Sequence, residues 1–123
     1  ELETSKVYLF KEQSHPGRCI VAHKKHVGDM NELTAEERAA YFEDVARVAR
    51  AIMKAFNPDK VNYGAYGDTG HHLHFHLCPK YKDEYEWGGV FLMNPDKKYL
   101  TDEEYAEIAS RILDEWLSES DGS

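Results

Sequence analysis

The sequence predicts an α+β fold, an antiparallel sheet with a long helix and a C-terminal helix packed on one of its faces. Three observations carry this expectation. Two pairs of β-forming segments are each joined by turn residues, two capping boxes each introduce an apolar run at helical spacing, and the segment 71–78 (HHLHFHLC) alternates imidazole with apolar side chains. With 123 residues the chain fits one domain, expected over 1–123, large enough to bury roughly two-thirds of its unfolded surface.

Residues 6–11 (KVYLFK) and 18–24 (RCIVAHK) are rich in β-formers, and Ser14-His15-Pro16-Gly17 between them supplies turn chemistry, so the chain opens with a hairpin. Thr34 and Glu37 have capping-box spacing, and Tyr41, Val45, Val48, Ile52 and Phe56 then recur at helical period until Asn57-Pro58 stops the run. A helix of about six turns follows. Residues 60–66 are expected as a short strand, Gly67-Asp68-Thr69-Gly70 as a tight loop and 71–78 as the strand that closes a second hairpin. The stretch 80–87 is undetermined between helix and strand, and 88–93 reads as a short strand or an extended loop. Thr101 with Glu104 repeats the capping box, and Tyr105, Ile108, Ile112 and Trp116, with Leu113 beside them, form a second amphipathic helix before a polar tail from Ser118. The order β-β-α-β-β-(β)-α gives the antiparallel sheet with helices on one side. Tyr41, Phe42, Ile52, Phe56, Ile108 and Trp116 are the expected core aromatics and aliphatics, and Leu73, Phe75 and Leu77 the strand residues beneath the long helix.

Acidic residues outnumber basic ones by 23 to 15, the formal charge is −8, and no Lys/Arg block is long enough to neutralise several phosphates at once. Long nucleic acid is therefore not an expected partner, whereas a small phosphorylated ligand responds to local donors rather than net charge. Cys19 and Cys78 are the two cysteines and lack C-x-x-C spacing, so both are read as reduced in an intracellular protein. No apolar run approaches the length of a membrane span or a signal h-region, and a soluble, cytoplasmic protein without a membrane partner is expected.

On a strand, alternate side chains share a face, so His72, His74 and His76 project together while Leu73, Phe75 and Leu77 line the opposite side. His71 falls on the apolar side and is set apart from the three. A fold gains little from neighbouring imidazoles, because each desolvated ring needs hydrogen-bond partners and each protonation is opposed by the next ring. Three accounts of the row compete. An incidental or tag-like run is one, although a tag would be contiguous and terminal. A metal site is the second, since i, i+2 histidines on a strand can reach one zinc, with Cys78 on the same face and His23, His26 or a carboxylate as further ligands. At about 3.3 Å per residue the outer pair is separated by roughly 13 Å, so the three cannot easily converge on one ion. Nucleophilic catalysis at phosphorus is the third. A neutral imidazole is the nucleophile, its neighbours hold its tautomer and donate to developing charge, and phosphoryl transfer asks mainly for positioning and electrostatic stabilisation. The loop before the strand can present backbone N–H groups and the Thr69 hydroxyl to a phosphate.

At these residues the chain resembles the histidine triad superfamily, whose signature His-φ-His-φ-His-φ-φ (φ apolar) is met by His72-Leu73-His74-Phe75-His76-Leu77-Cys78. A second segment, Pro16-Gly17-Arg18-Cys19-Ile20-Val21-Ala22-His23-Lys24-Lys25-His26, is similar to the family's Pro-Gly-His-φ-φ-φ-φ-Pro-Lys-(Lys/Arg)-His stretch. The resemblance covers 7–80 and implies a HIT-like fold and a nucleotide hydrolase or transferase. Such an enzyme acts at the α-phosphorus of nucleoside phosphoramidates or dinucleoside polyphosphates. It further implies His74 as the nucleophile that forms a nucleotidyl-histidine intermediate, His72 as its orienting partner, and His76 on the phosphate and leaving group. Asn62 and Thr69 are the implied phosphate contacts, with Gly70 of the loop as a further candidate. No metal or other cofactor is expected, the partner is a small nucleotide, and a homodimer is expected by analogy. Arg18 stands where the family usually has a fourth histidine and is a candidate for phosphate contact, for pairing with a carboxylate, or for an ordinary surface arginine on a strand; His23 replaces the usual proline, and His23 and His26 are also consistent with exposed loop residues. Glu12 is a candidate for ribose contact or an ordinary hairpin charge, and Trp87 for substrate or subunit contact. The rival functions are a metal-dependent hydrolase using the histidine cluster and a non-catalytic nucleotide-binding module.

Overall fold

The chain pairs its strands in the order β1-β2-β4-β3, all antiparallel, in a computed structural model that describes residues 4–10, 13, 16–25, 27–65, 72–82, 87 and 99–122, with side chains through 117. The strands are β1 (Ser5–Leu9), β2 (Cys19–His23), β3 (Lys60–Gly64) and β4 (His74–Lys80), and the helices α1 (Ala35–Phe56) and α2 (Asp102–Gly122). A short 3-10 turn, Met30–Glu32, precedes α1. The expected segment 88–93 and the loop 67–70 lie outside the described residues.

Directly paired residues point to the same side of a sheet, so the register defines its two faces. Val7, Val21 and Phe75 form one inner row, and Leu9, Cys19 and Leu77 the next. The outer rows are Lys6, Ala22 and His74, then Tyr8, Ile20, His76 and Gly64. The period-2 pattern of the histidine segment thus separates its apolar residues from His74 and His76, with Leu73 and Leu77 buried and Phe75 packed on the core.

The histidine strand is displaced from its expected position, running through Lys80 and beginning at His74 rather than His71. Ladder pairing to β2 ends at Ala22–His74, after which the Leu73 carbonyl accepts from His23 N–H (3.0 Å) and Leu73 N–H donates to Val27 O (2.8 Å). These bonds follow the bend of the chain at Lys24-Lys25 and take residue 72 off the strand axis. At the other end, Asp59 N–H bonds Lys80 O at 2.9 Å, so Pro79 turns its missing donor toward the side where pairing with β2 has already ended.

Helix α1 begins at a reciprocal capping box: Glu37 N–H donates to Thr34 Oγ1 (3.1 Å) and Thr34 N–H to Glu37 Oε1 (2.8 Å). It ends at Asn57, whose φ of 49° and ψ of 50° are left-handed. Tyr41, Val45, Val48, Ala49, Ala51 and Ile52 are buried on it. The buried Tyr41 hydroxyl donates to Val21 O at 2.7 Å, tying the helix to β2, and burial pushes its pKa well above the ordinary tyrosine range. Phe42, expected in the core, is instead 38% exposed, because it sits one position off the buried line and rests its ring on Phe75 at 5.6 Å. Helix α2 also starts at a reciprocal box, Thr101 with Glu104, and packs on α1 through Ile108, Ile112 and Trp116. Its end differs from the expected polar tail at Ser118, for the helix continues to Gly122 with no proline or earlier glycine to stop it. Among the described residues no helix is long and apolar enough to cross a membrane.

Candidate active site

The β1–β2 loop is held by Gln13. Its amide donates to Arg18 O (3.2 Å) and to Phe10 O, and its carbonyl accepts from Gly17 N–H at 2.9 Å. Phe10 N–H closes the loop on Arg18 O at 2.9 Å. Gly17 has φ 95°, and a Cβ there would lie 3.0 Å from the Phe56 ring and 3.3 Å from Pro79, so this position needs glycine for both its backbone and its contacts. The loop brings Phe10 and Arg18 beside His76. The Arg18 guanidinium lies 4.2 Å over the Phe10 ring, and Phe10 meets His76 edge to face at 5.1 Å.

His76 is 1% exposed and Arg18 is fully buried, with Arg18 Nη2 3.1 Å from His76 Nδ1. Arginine carries only donors, so Nδ1 accepts and the neutral ring holds its proton on Nε2. Burial first, then the Arg18 charge and the neighbouring His74, pull the His76 pKa down to about 4.

The other two histidines of the row are held by main-chain oxygens. His74 Nδ1–H donates to His72 O at 2.8 Å, leaving the lone pair on Nε2, and His72 Nε2–H donates in turn to His23 O. The His74 and His76 rings are 5.3 Å apart at a steep angle. His23, read from the sequence as consistent with an exposed loop, is the last residue of β2 and only 5% exposed. Its ring lies 5.1 Å from Tyr41, and its Nδ1 accepts from Lys25 N–H at 2.9 Å. Lys6, Tyr8, Ala22, Lys24 and His72 line a cavity of about 320 Å³ on the outer side, where Ala22 beside His74 leaves room.

Asn62 pairs with Cys78 in β3 and shares the outer face with His76. Thr69, Gly70, His71, His26 and Glu12 lie outside the described residues, and Trp87 is 39% exposed. Cys78 is fully buried, and burial raises the Cys19 thiol to about 12. Among the described residues no group of three or more His, Cys, Asp or Glu side chains is placed to hold a metal ion. Sequence reasoning missed the His23 carbonyl, Phe10 and Gln13. A carbonyl carries no residue signature, and the other two read as ordinary hairpin residues.

The stretch that carries this histidine row, residues 2–83, is matched by the HIT domain. The chain belongs to the HIT domain family. It is 30% identical over 94 residues to the Bacillus subtilis protein called hit, a match covering 72% of this chain and 65% of that protein. An adenosine 5′-monophosphoramidase of Schizosaccharomyces pombe is 30% identical over 95 residues, covering 72% of this chain and 67% of the relative. The chain thus spans about two-thirds of the length of these relatives. A crystal structure of a histidine triad protein from Sinorhizobium meliloti superposes with a TM-score of 0.86 at 23% identity, covering 93% of this chain and 84% of that one, which shows a common fold.

Proposed function

We propose that the protein is a nucleotide hydrolase or transferase that cleaves at the α-phosphorus of a nucleoside phosphoramidate or dinucleoside polyphosphate through a nucleotidyl-histidine intermediate on His74. The observation that carries this is the 2.8 Å hydrogen bond from His74 Nδ1 to His72 O, which in the neutral ring places the nucleophilic lone pair on Nε2. Attack forms the Nε2–P bond and breaks the bond to the leaving group, which departs with the electron pair. Water then forms a new O–P bond, the P–Nε2 pair returns to the ring, and the water proton goes to solvent. His72 orients the nucleophile through its carbonyl, and His76 donates from Nε2 to the phosphoryl oxygens or the leaving group. Asn62, Thr69 and Gly70 are assigned to the phosphate. The phosphoramidate arm is supported by what the Schizosaccharomyces relative is named for, and both arms by the triad resemblance. The reading includes a cytoplasmic homodimer that acts on a free nucleotide and needs no metal or other cofactor.

Intact-mass spectrometry of protein trapped with a slow substrate tests it. A gain of one nucleotidyl group, absent from His74→Ala, is expected. Unaltered turnover by His74→Ala, or ligand-induced thermal stabilisation without product or adduct, overturns it; the latter result describes a nucleotide-binding module.

A further inference from the structure

We infer that Arg18 sets the leaving-group class of this site: by holding His76 as a neutral ring it favours groups that depart as stable anions, such as the phosphate of a dinucleoside polyphosphate, over amines. The inference rests on the nucleotidyl-transfer reading above.

The geometry has one sense. A guanidinium cannot accept, so the 3.1 Å contact between Arg18 Nη2 and His76 Nδ1 requires a lone pair on Nδ1. A proton there would break the bond and set two cations against each other where Arg18 is fully buried and His76 is 1% exposed. The ring therefore keeps a single proton, on Nε2. It can share that proton in a hydrogen bond, but giving it up would create an imidazolate, which is inaccessible near neutral pH. Across the sheet His76 is flanked by Ile20 and Gly64, with Phe10 against its ring, none of them charged. The charges of Arg18 and His74 both oppose its protonation, in keeping with a pKa of about 4. A histidine in place of Arg18 could accept as well as donate, and would let His76 carry a second, transferable proton.

The chemical consequence follows from where the electron pair goes. When the P–O bond of a polyphosphate breaks, the pair rests on a phosphate oxygen that is stable as an anion, and no proton has to move. When a P–N bond breaks, the nitrogen must gain a proton to leave as an amine. His72 and His74 each donate an N–H to a main-chain oxygen, and the His76 proton is locked, so the row itself does not supply that proton and the amine depends on a donor outside it. Amine departure is then the slower case.

Two adenosine 5′-monophosphate derivatives with the same aromatic ring, one an aryl ester and one an arylamide, isolate this proton from recognition. The wild-type protein is expected to prefer the ester, and Arg18→His to narrow the ester-to-amide ratio in kcat/KM at least tenfold. A wild-type preference for the amide, an unchanged ratio, or an equal loss on both substrates overturns the inference, the last because it marks a merely structural role. Should Arg18→His not fold, ¹⁵N NMR of the wild-type protein decides. His76 should show an unprotonated Nδ1 and a protonated Nε2 down to pH 5, and a doubly protonated ring at pH 6 overturns the inference. Failure of the underlying reading is distinct, since neither substrate would then be turned over or leave an adduct on His74, and the inference falls with it.

Discussion

The two ends of the histidine row are held by different means. His72 and His74 hang from main-chain carbonyls, at His23 and at His72, whereas His76 is held by the side chain of Arg18. A carbonyl is supplied by any residue, so the first arrangement survives side-chain change as long as the backbone path does. A guanidinium is supplied by one residue type, so the second can be altered by one substitution, and with it the protonation of the ring. The proposed nucleophile His74 thus sits at the backbone-held end and His76 at the tunable end.

The comparison can be broken most strongly at Gly17. A Gly17→Ala change meets both a φ of 95° and contacts of 3.0 Å to Phe56, at a cost of about 3 kcal/mol. Urea unfolding should show this loss, and NMR should show the His76 ring disturbed, because Arg18 follows directly, while His74 is left unchanged. Equal disturbance of both rings would remove the distinction between the two ends.

Lowering the pH tests the side-chain-held end through the depressed pKa of His76. The His76 pKa of about 4 lies below the value near 6.5 of an unfolded histidine, so between these limits the unfolded chain binds more protons. Stability from this group is therefore fully present above pH 6.5 and is lost as pH falls toward 4. From pH 7 to pH 5 the loss is about 2 kcal/mol. The urea midpoint should fall over this range with an unchanged slope, and His76→Gln should flatten the dependence.

The smallest effect sharpens the comparison by touching neither end. Thr34→Ala removes the α1 cap bond to Glu37 N–H and should cost about 1 kcal/mol, read as a lower melting temperature. It should leave both tautomers and the ester-to-amide ratio unchanged.

The fold was largely legible because its signals are local. Both capping boxes, the Tyr41–Ile52 face and the alternation from Leu73 to Leu77 are short-range patterns that burial rewards directly. The edges were less so. The start of β4 depends on bonds among His23, Leu73 and Val27, residues far apart in sequence, and Phe42 differs from Tyr41 only by a rotation about the helix axis. In the candidate site, the row itself was visible, but the partners of its rings were not. Arg18 reads as a strand residue until the Gln13 loop folds it beneath Phe10 and against His76.

By itself the sequence determined that three imidazoles occur at period 2 beside an apolar strand face, within an α+β chain of the HIT family. Only the tertiary structure decided which nitrogen of each ring holds the proton. A tautomer is chosen by the hydrogen-bond partner of a ring nitrogen, and although His74 bonds a carbonyl two residues back, the partners of His72 and His76 lie 49 and 58 residues away.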